Sequence, residues 1–270
     1  FKINFHFFRK TSGWGIIQPS PAWTSQMQAF VATMSSMYQN IGPPTLPVAP
    51  PAQNINDSRI RFELKGIYFH DNDNYYYGTE WCGSSYYNAW GINKCNEINV
   101  FWYYTGGGHG GCGPYGYVNF RMDSLSNPAN TFTWAWAQVL AHELGHSAGG
   151  LSHTYGGCNQ FGCCTAFPAC VPCGDDQFTD TYATDCNLAW TGCSTNFIGS
   201  NNCAGCTYQV SNNIMGYNIC RNYLSPMQMG YFHMNANTAN PSYNTTRFLT
   251  YCDYDPANSI TVNSSQTWTT

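Results

Sequence analysis

The sequence predicts an α+β protein in two unlike parts: an N-terminal lobe, 1–153, of twisted sheet and long helices, and an irregular C-terminal lobe, 154–270, dependent on cross-links. Three observations predict it. Apolar residues in the first part alternate or recur at helical spacing. A helical stretch runs without a breaker from Trp134 into His142-Glu143-Leu144-Gly145-His146. Eleven of the fourteen cysteines follow that stretch, where periodicity fades.

Ile3 to Phe8, aromatic with one β-branched residue, reads as the first strand. Ser20-Pro21 offers an N-cap and a first-turn proline, and Trp23, Met27, Phe30, Val31, Met34 and Tyr38 follow at helical spacing. Proline-rich 42–51 ends this helix as a loop. Ile60, Phe62 and Leu64 alternate with Arg61, Glu63 and Lys65, predicting a half-buried strand that reaches Tyr68. Asp71-Asn72-Asp73-Asn74 is a polar turn, solvated or holding calcium. Glu97 to Tyr104 predicts another strand, a glycine-rich loop spans 106–111, and Tyr117-Val118-Asn119-Phe120 predicts a strand of four. Val139, Leu140 and Leu144 supply a buried stripe for the histidine helix. After it, Ser225-Pro226 opens a short helix through Met234, and Arg247 to Tyr251 is a strand candidate.

Composition excludes several classes. Charged residues are 9 % and aromatics 17 % of 270 residues, and the net charge is −4 with no basic run, which argues against nucleic acid and anionic membrane surfaces. No apolar stretch approaches the roughly 18 residues of a membrane span. The chain opens at Phe1 with neither initiator Met nor apolar signal segment and reads as a mature, processed fragment. An even count of fourteen cysteines points to an oxidising, extracellular compartment. Two Cys-x-x-Cys pairs, 170/173 and 203/206, also have the spacing of a structural zinc site, but their crowded neighbourhood favours disulfides. Asn56-Asp-Ser58, Asn244-Thr-Thr246 and Asn263-Ser-Ser265 are glycosylation sequons.

The chemistry sits in the helix. Histidines four residues apart lie one turn above each other on the same face, so His142 and His146 can share one zinc ion. Glu143 lies beside them with a carboxylate long enough to reach a water on that ion, whose pKa zinc lowers toward neutrality. His153, after Gly149-Gly150-Leu151-Ser152, supplies a third ligand and leaves the fourth position open. This is the donor set of a hydrolytic zinc site rather than a closed structural one.

Downstream, Ser211-Asn212-Asn213-Ile214-Met215-Gly216-Tyr217 looks like the methionine turn of the metzincins, and the segments together resemble the pappalysin-like, or cytophagalysin, branch of these zinc peptidases. Glu97 to Trp102 resembles the central strand, Gly116 to Phe120 the upper edge strand, and His153 to Cys158 the continuation after the third histidine. Gly174-Asp175-Asp176 with Asp180-Thr181 is similar to the acidic loop, and Asn222 to Pro226 to the start of the last helix. The likeness extends from Ile3 to about Met234. It implies a metzincin-like, two-lobed endopeptidase, secreted or at the cell surface, acting on protein or peptide substrates across a horizontal cleft. His142, His146 and His153 would hold zinc, Glu143 would be general base and acid, and Met215 would form the floor. Tyr217 would donate to the oxyanion, unless it is an ordinary packed or exposed tyrosine. Tyr117, Val118, Asn119 and Phe120 would bind substrate by strand addition. Asp175, Asp176 and Asp180 suit calcium, a hard cation, or form a solvated turn.

One departure stands out: the family's spacing places the third ligand at position 152, which is Ser152 here. Either Gly149 turns the chain and the loop carries an extra residue, or the helix runs on and Gly150 makes the turn, keeping a Gly-x-x-His interval. A rival class is a surface or assembly protein that keeps this fold without turnover; the intact Glu143 argues against it. A glycan-binding module lacks a localised motif. His6 and His70 read as strand flanks, His109 as a loop histidine and His233 as packing.

Overall fold

Strand β1 (Lys2–Arg9) is the centre of the architecture, because both of its faces are buried. Ile3, Phe5 and Phe7 point to one face, while Asn4, His6 and Phe8 point to the other. The computed structural model of the chain describes residues 1–44, 55–78, 80, 82–94, 96–104, 110–114, 116–122, 133–154, 178, 180–181, 212–216, 221–237 and 261–263. Around β1 a six-stranded sheet has the order β4-β5-β3-β1-β2-β6, with β2 Glu63–Asp71, β3 Glu97–Tyr104, β4 Gly110–Cys112, β5 Tyr117–Met122 and β6 Thr261–Asn263. Every pairing is parallel except that of β4 with β5. Parallel strands covered on both faces explain the nearly unbroken apolar run of β3.

Helix α1 (Pro21–Gln39) starts as its cap residues predict, with Ser20 Oγ accepting from Trp23 N at 3.2 Å. It packs beside helix α4 (Trp134–Gly149) on the Phe5–Trp102 face of the sheet, and the Tyr38 hydroxyl donates to Ala141 O at 2.6 Å. Helix α5 (Pro226–Asn237) completes this layer through Phe232 and Met229. The strand expected from Ile60 begins only at Glu63. Ser58 Oγ takes Ile60 N, Ser35 Oγ takes Phe62 N, and Arg59 has a φ of 61°, so the backbone there is tied to side chains rather than to a ladder.

The opposite face carries a second, aromatic layer: Phe8, Phe101, Tyr103 and Tyr117 meet Tyr76 of α2 (Asp73–Tyr76) and Tyr86 of α3 (Ser85–Trp90). Neither short helix is expected from periodicity. The polar turn before Tyr75 works as a helix start: Asn72 Oδ1 accepts from Tyr75 N, Asp73 Oδ1 accepts from Thr11 N, and Asp71 pairs with Arg9. Cys82, just before α3, is disulfide-bonded to Cys112 on β4. Two further corrections concern strands. Tyr117 to Phe120 is not an edge, since β3 lies on one side and β4 on the other; the terminal position belongs to β4, whose glycines hide it from strand propensity. The strand expected at 247–251 lies outside the described residues, and β6 at 261–263 is the late strand observed. No described helix is long and apolar enough to cross a membrane.

Candidate metal centre

Helix α4 sets the site by its pitch. His142 and His146, one turn apart, present Nε2 atoms 3.2 Å from each other. The helix ends on Gly150, left-handed at φ 62°, where a Cβ would be strained. Its N–H returns to His146 O at 2.9 Å and Leu151 N to Gly145 O at 3.0 Å. The helix therefore runs one residue further and Gly150 makes the turn, the second of the two alternatives. From there His153 Nε2 stands 3.0 Å from His146 Nε2 and 3.1 Å from His142 Nε2.

These three nitrogens fit a zinc ion. Donors about 2.1 Å from a tetrahedral ion stand roughly 3.4 Å apart, close to the observed spacing. Tautomers agree as well: His142 Nδ1 donates to Ile214 O at 2.8 Å and His146 Nδ1 to Leu151 O at 2.5 Å, so both Nε2 lone pairs point inward. Burial keeps all three imidazoles neutral, with His153 pushed down to about 3 and His142 well below its ordinary value. Among the described residues they form the one group of His, Cys, Asp or Glu gathered tightly enough to hold an ion.

Glu143 is buried beside this group, and burial pushes its carboxyl up to about 7, against the charge of Arg221 and the backbone N–H of Gly113. Strand β4 lies directly on it. A Cβ on Gly111 would come 2.5 Å from Glu143 Cγ, and one on Gly113 would collide with the Glu143 carbonyl. Met215 is fully buried, with its sulfur against Gly145, the residue before His146, where no side chain fits. The turn is closed by Gly216 N to Asn213 O at 3.0 Å.

Other expected residues stand apart. Asp180 is engaged at the start of α5, where its two oxygens accept from Ser225 Oγ at 2.7 Å and Met227 N at 2.8 Å. It is a helix anchor, and a calcium role gains no support. Asp175, Asp176, Tyr217, His109, both Cys-x-x-Cys pairs and the sequons at 244 and 263 concern segments outside the described residues, save Asn263 itself on β6. Sequence reasoning missed Arg221, which is buried, donates Nη1 to Gln138 O at 3.2 Å and disfavours protonation of all three histidines. Its signal was its rarity: the chain has ten Lys and Arg in all.

Three imidazoles, a buried glutamate and a buried methionine packed against the histidine helix, behind a mostly parallel sheet, are the arrangement of a metzincin-type metallopeptidase. The pappalysin family, described as pregnancy-associated plasma protein-A, matches residues 84–237, more than half of the chain, and the chain belongs to that family. Among solved structures it is similar to mature mirolysin of Tannerella forsythia in complex with a cleaved peptide. The TM-score is 0.55, with 16 % identity over 86 % of this chain and 88 % of that chain, a likeness of fold. No curated protein matches the chain.

Proposed function

We propose that this metallopeptidase is a secreted, zinc-dependent endopeptidase in which Glu143 is the general base. The observation that carries it is the convergence of three neutral Nε2 atoms within 3.2 Å of one another beside a buried carboxyl. Zinc, when bound, supplies a Lewis acid for the scissile carbonyl and acidifies water. Glu143 takes the proton of the attacking water and returns it to the departing amine. Its stem is confined by Gly111 and its carboxylate is steadied by Gly113 N–H, so the base is already oriented. An extended peptide adds to the outer side of β4, the terminal strand next to the base. Tyr217, two residues beyond Met215, is the donor to the oxyanion in this reading. The substrate crosses between the lobe of residues 1–153 and the part formed by 154–270, within one catalytic domain. Secretion is supported by the fourteen cysteines and by the Cys82–Cys112 bridge.

The test combines elemental analysis with digestion of casein or gelatin, with and without a zinc chelator. About one zinc per chain and chelator-sensitive cleavage are expected. Protein purified without chelators that holds no zinc, and takes up none, sinks the reading.

A further inference from the structure

Helix α5 begins with a reciprocal cap. Gln228 N donates to Ser225 Oγ at 3.2 Å, and Ser225 N donates back to Gln228 Oε1 at 3.0 Å. The same carboxamide also faces Asn213. Asn213 Nδ2 donates to Gln228 Oε1 at 2.8 Å, and Gln228 Nε2 reaches Asn213 Oδ1 at 3.4 Å. Both side chains are buried, Gln228 completely. In such a setting the pairing holds firmly, because a mismatched carboxamide leaves polar atoms without water.

The pair leads to the histidines. Asn213 Oδ1 accepts from Met215 N at 2.8 Å, which fixes the backbone of the methionine turn. That backbone makes two contacts with the metal-ligand segments. Ile214 O receives His142 Nδ1 at 2.8 Å, and Met215 O receives Thr154 N, the residue after His153, at 3.2 Å. Two of the three histidines are thus placed by a turn whose own shape depends on a side chain of α5.

We propose that Gln228 is a positioning residue for the metal centre, acting through Asn213 and the methionine turn on His142 and His153. This rests on the three-histidine zinc site proposed above. Gln228 acts at a distance from the three histidines: it sets the carbonyl that orients His142 and the segment that presents His153.

The experiment uses the full chain, stripped of metal and reloaded. Zinc affinity is read by competition with a chelator, and geometry by the visible spectrum of the cobalt(II)-substituted protein. Gln228→Ala should weaken zinc binding by up to about 10-fold, the lower end of what losing a ligand's own hydrogen-bond partner costs, and shift the cobalt bands. Ser225→Ala disturbs the same helix start but leaves the carboxamide pair intact, and should lower the unfolding temperature without changing affinity. If Gln228→Ala fails to fold, Asn213→Asp carries the test. It keeps the acceptor for Met215 N, sets an oxygen against Gln228 Oε1, and should show the same loss. Wild-type affinity and spectrum in folded Gln228→Ala or Asn213→Asp overturn the proposal, as does an equal loss in Ser225→Ala. A wild-type protein that binds no zinc overturns the site itself, which tells the two failures apart.

Discussion

Glu143 is steadied at its carboxylate by Gly113 N–H and crowded along its stem by Gly111. An oriented base of this kind contributes at least about a hundredfold to hydrolysis. Glu143→Gln should therefore retain zinc and lose at least that factor in peptide turnover, measured side by side with metal content. His153 gives a sharper contrast. An imidazole is among the best zinc ligands at neutral pH and a serine hydroxyl among the poorest. His153→Ala should strongly lower zinc affinity, while Ser152→Ala leaves metal content unchanged. Zinc content that follows Ser152 instead would refute the placement of the loop. At this scale the chemistry was legible because it is local. His142, Glu143 and His146 are fixed relative to one another by helical pitch alone. Arg221 was not, since its influence comes from a segment 75 or more residues away in sequence and depends on burial.

Strands β3, β4 and β5 show what periodicity reads and what it passes over. β3 and β5 are rich in Val, Phe and Tyr and declare themselves; β4 is Gly-Gly-Cys and looks like loop. Its composition follows from its position, because a side chain at 111 would occupy the space of Glu143 Cγ. Gly111→Val should consequently push β4 or Glu143 aside. Overpacking of that size costs about 1–3 kcal/mol, and peptide hydrolysis should fall at least tenfold (about 1.4 kcal/mol) while zinc content stays intact. Unchanged turnover would mean that β4 does not confine the base. The short helices α2 and α3 were invisible for another reason. Each is six residues or fewer, too short for a period to register, and each is held by the aromatic layer it covers.

Acid should weaken the whole molecule, and one buried pair makes the sign clear. His6 Nε2 faces Asn99 Oδ1, which also accepts from Ile92 N, so His6 donates there and its Nδ1 accepts from His70 Nε2 at 2.9 Å. Burial pushes His6 down to about 3 and His70 to about 4, from an ordinary 6.5. The unfolded chain takes up these protons first. Stability is therefore full above pH 6.5, falls as the pH drops toward those folded values, and levels off below them. One pKa unit corresponds to about 1.4 kcal/mol, so His6 alone removes on the order of 3 kcal/mol between pH 7 and 4. Urea unfolding of metal-free protein should show this slope, to which the three buried metal-site histidines add, and His6→Phe should make it shallower; equal slopes would contradict the assignment. Read as a strand flank in the sequence, His6 lies inside the sheet because parallel strands bury both faces. The class of fold was legible at this scale, but not the second layer that seals it.

The order of the sheet also bears on how the protein is made. Strand β2 is joined on its outer side by residues 261–263, so β2 waits for a partner found nearly two hundred residues later in the chain. Until that segment emerges from the ribosome, β2 presents bare backbone groups along one side, a template on which another nascent chain can pair. Products of early termination before position 261 should accordingly stick to one another, appearing as large species in light scattering where the full chain does not. The late strand acts as a stopper, and only the chain that has reached it is closed to its neighbours along β2.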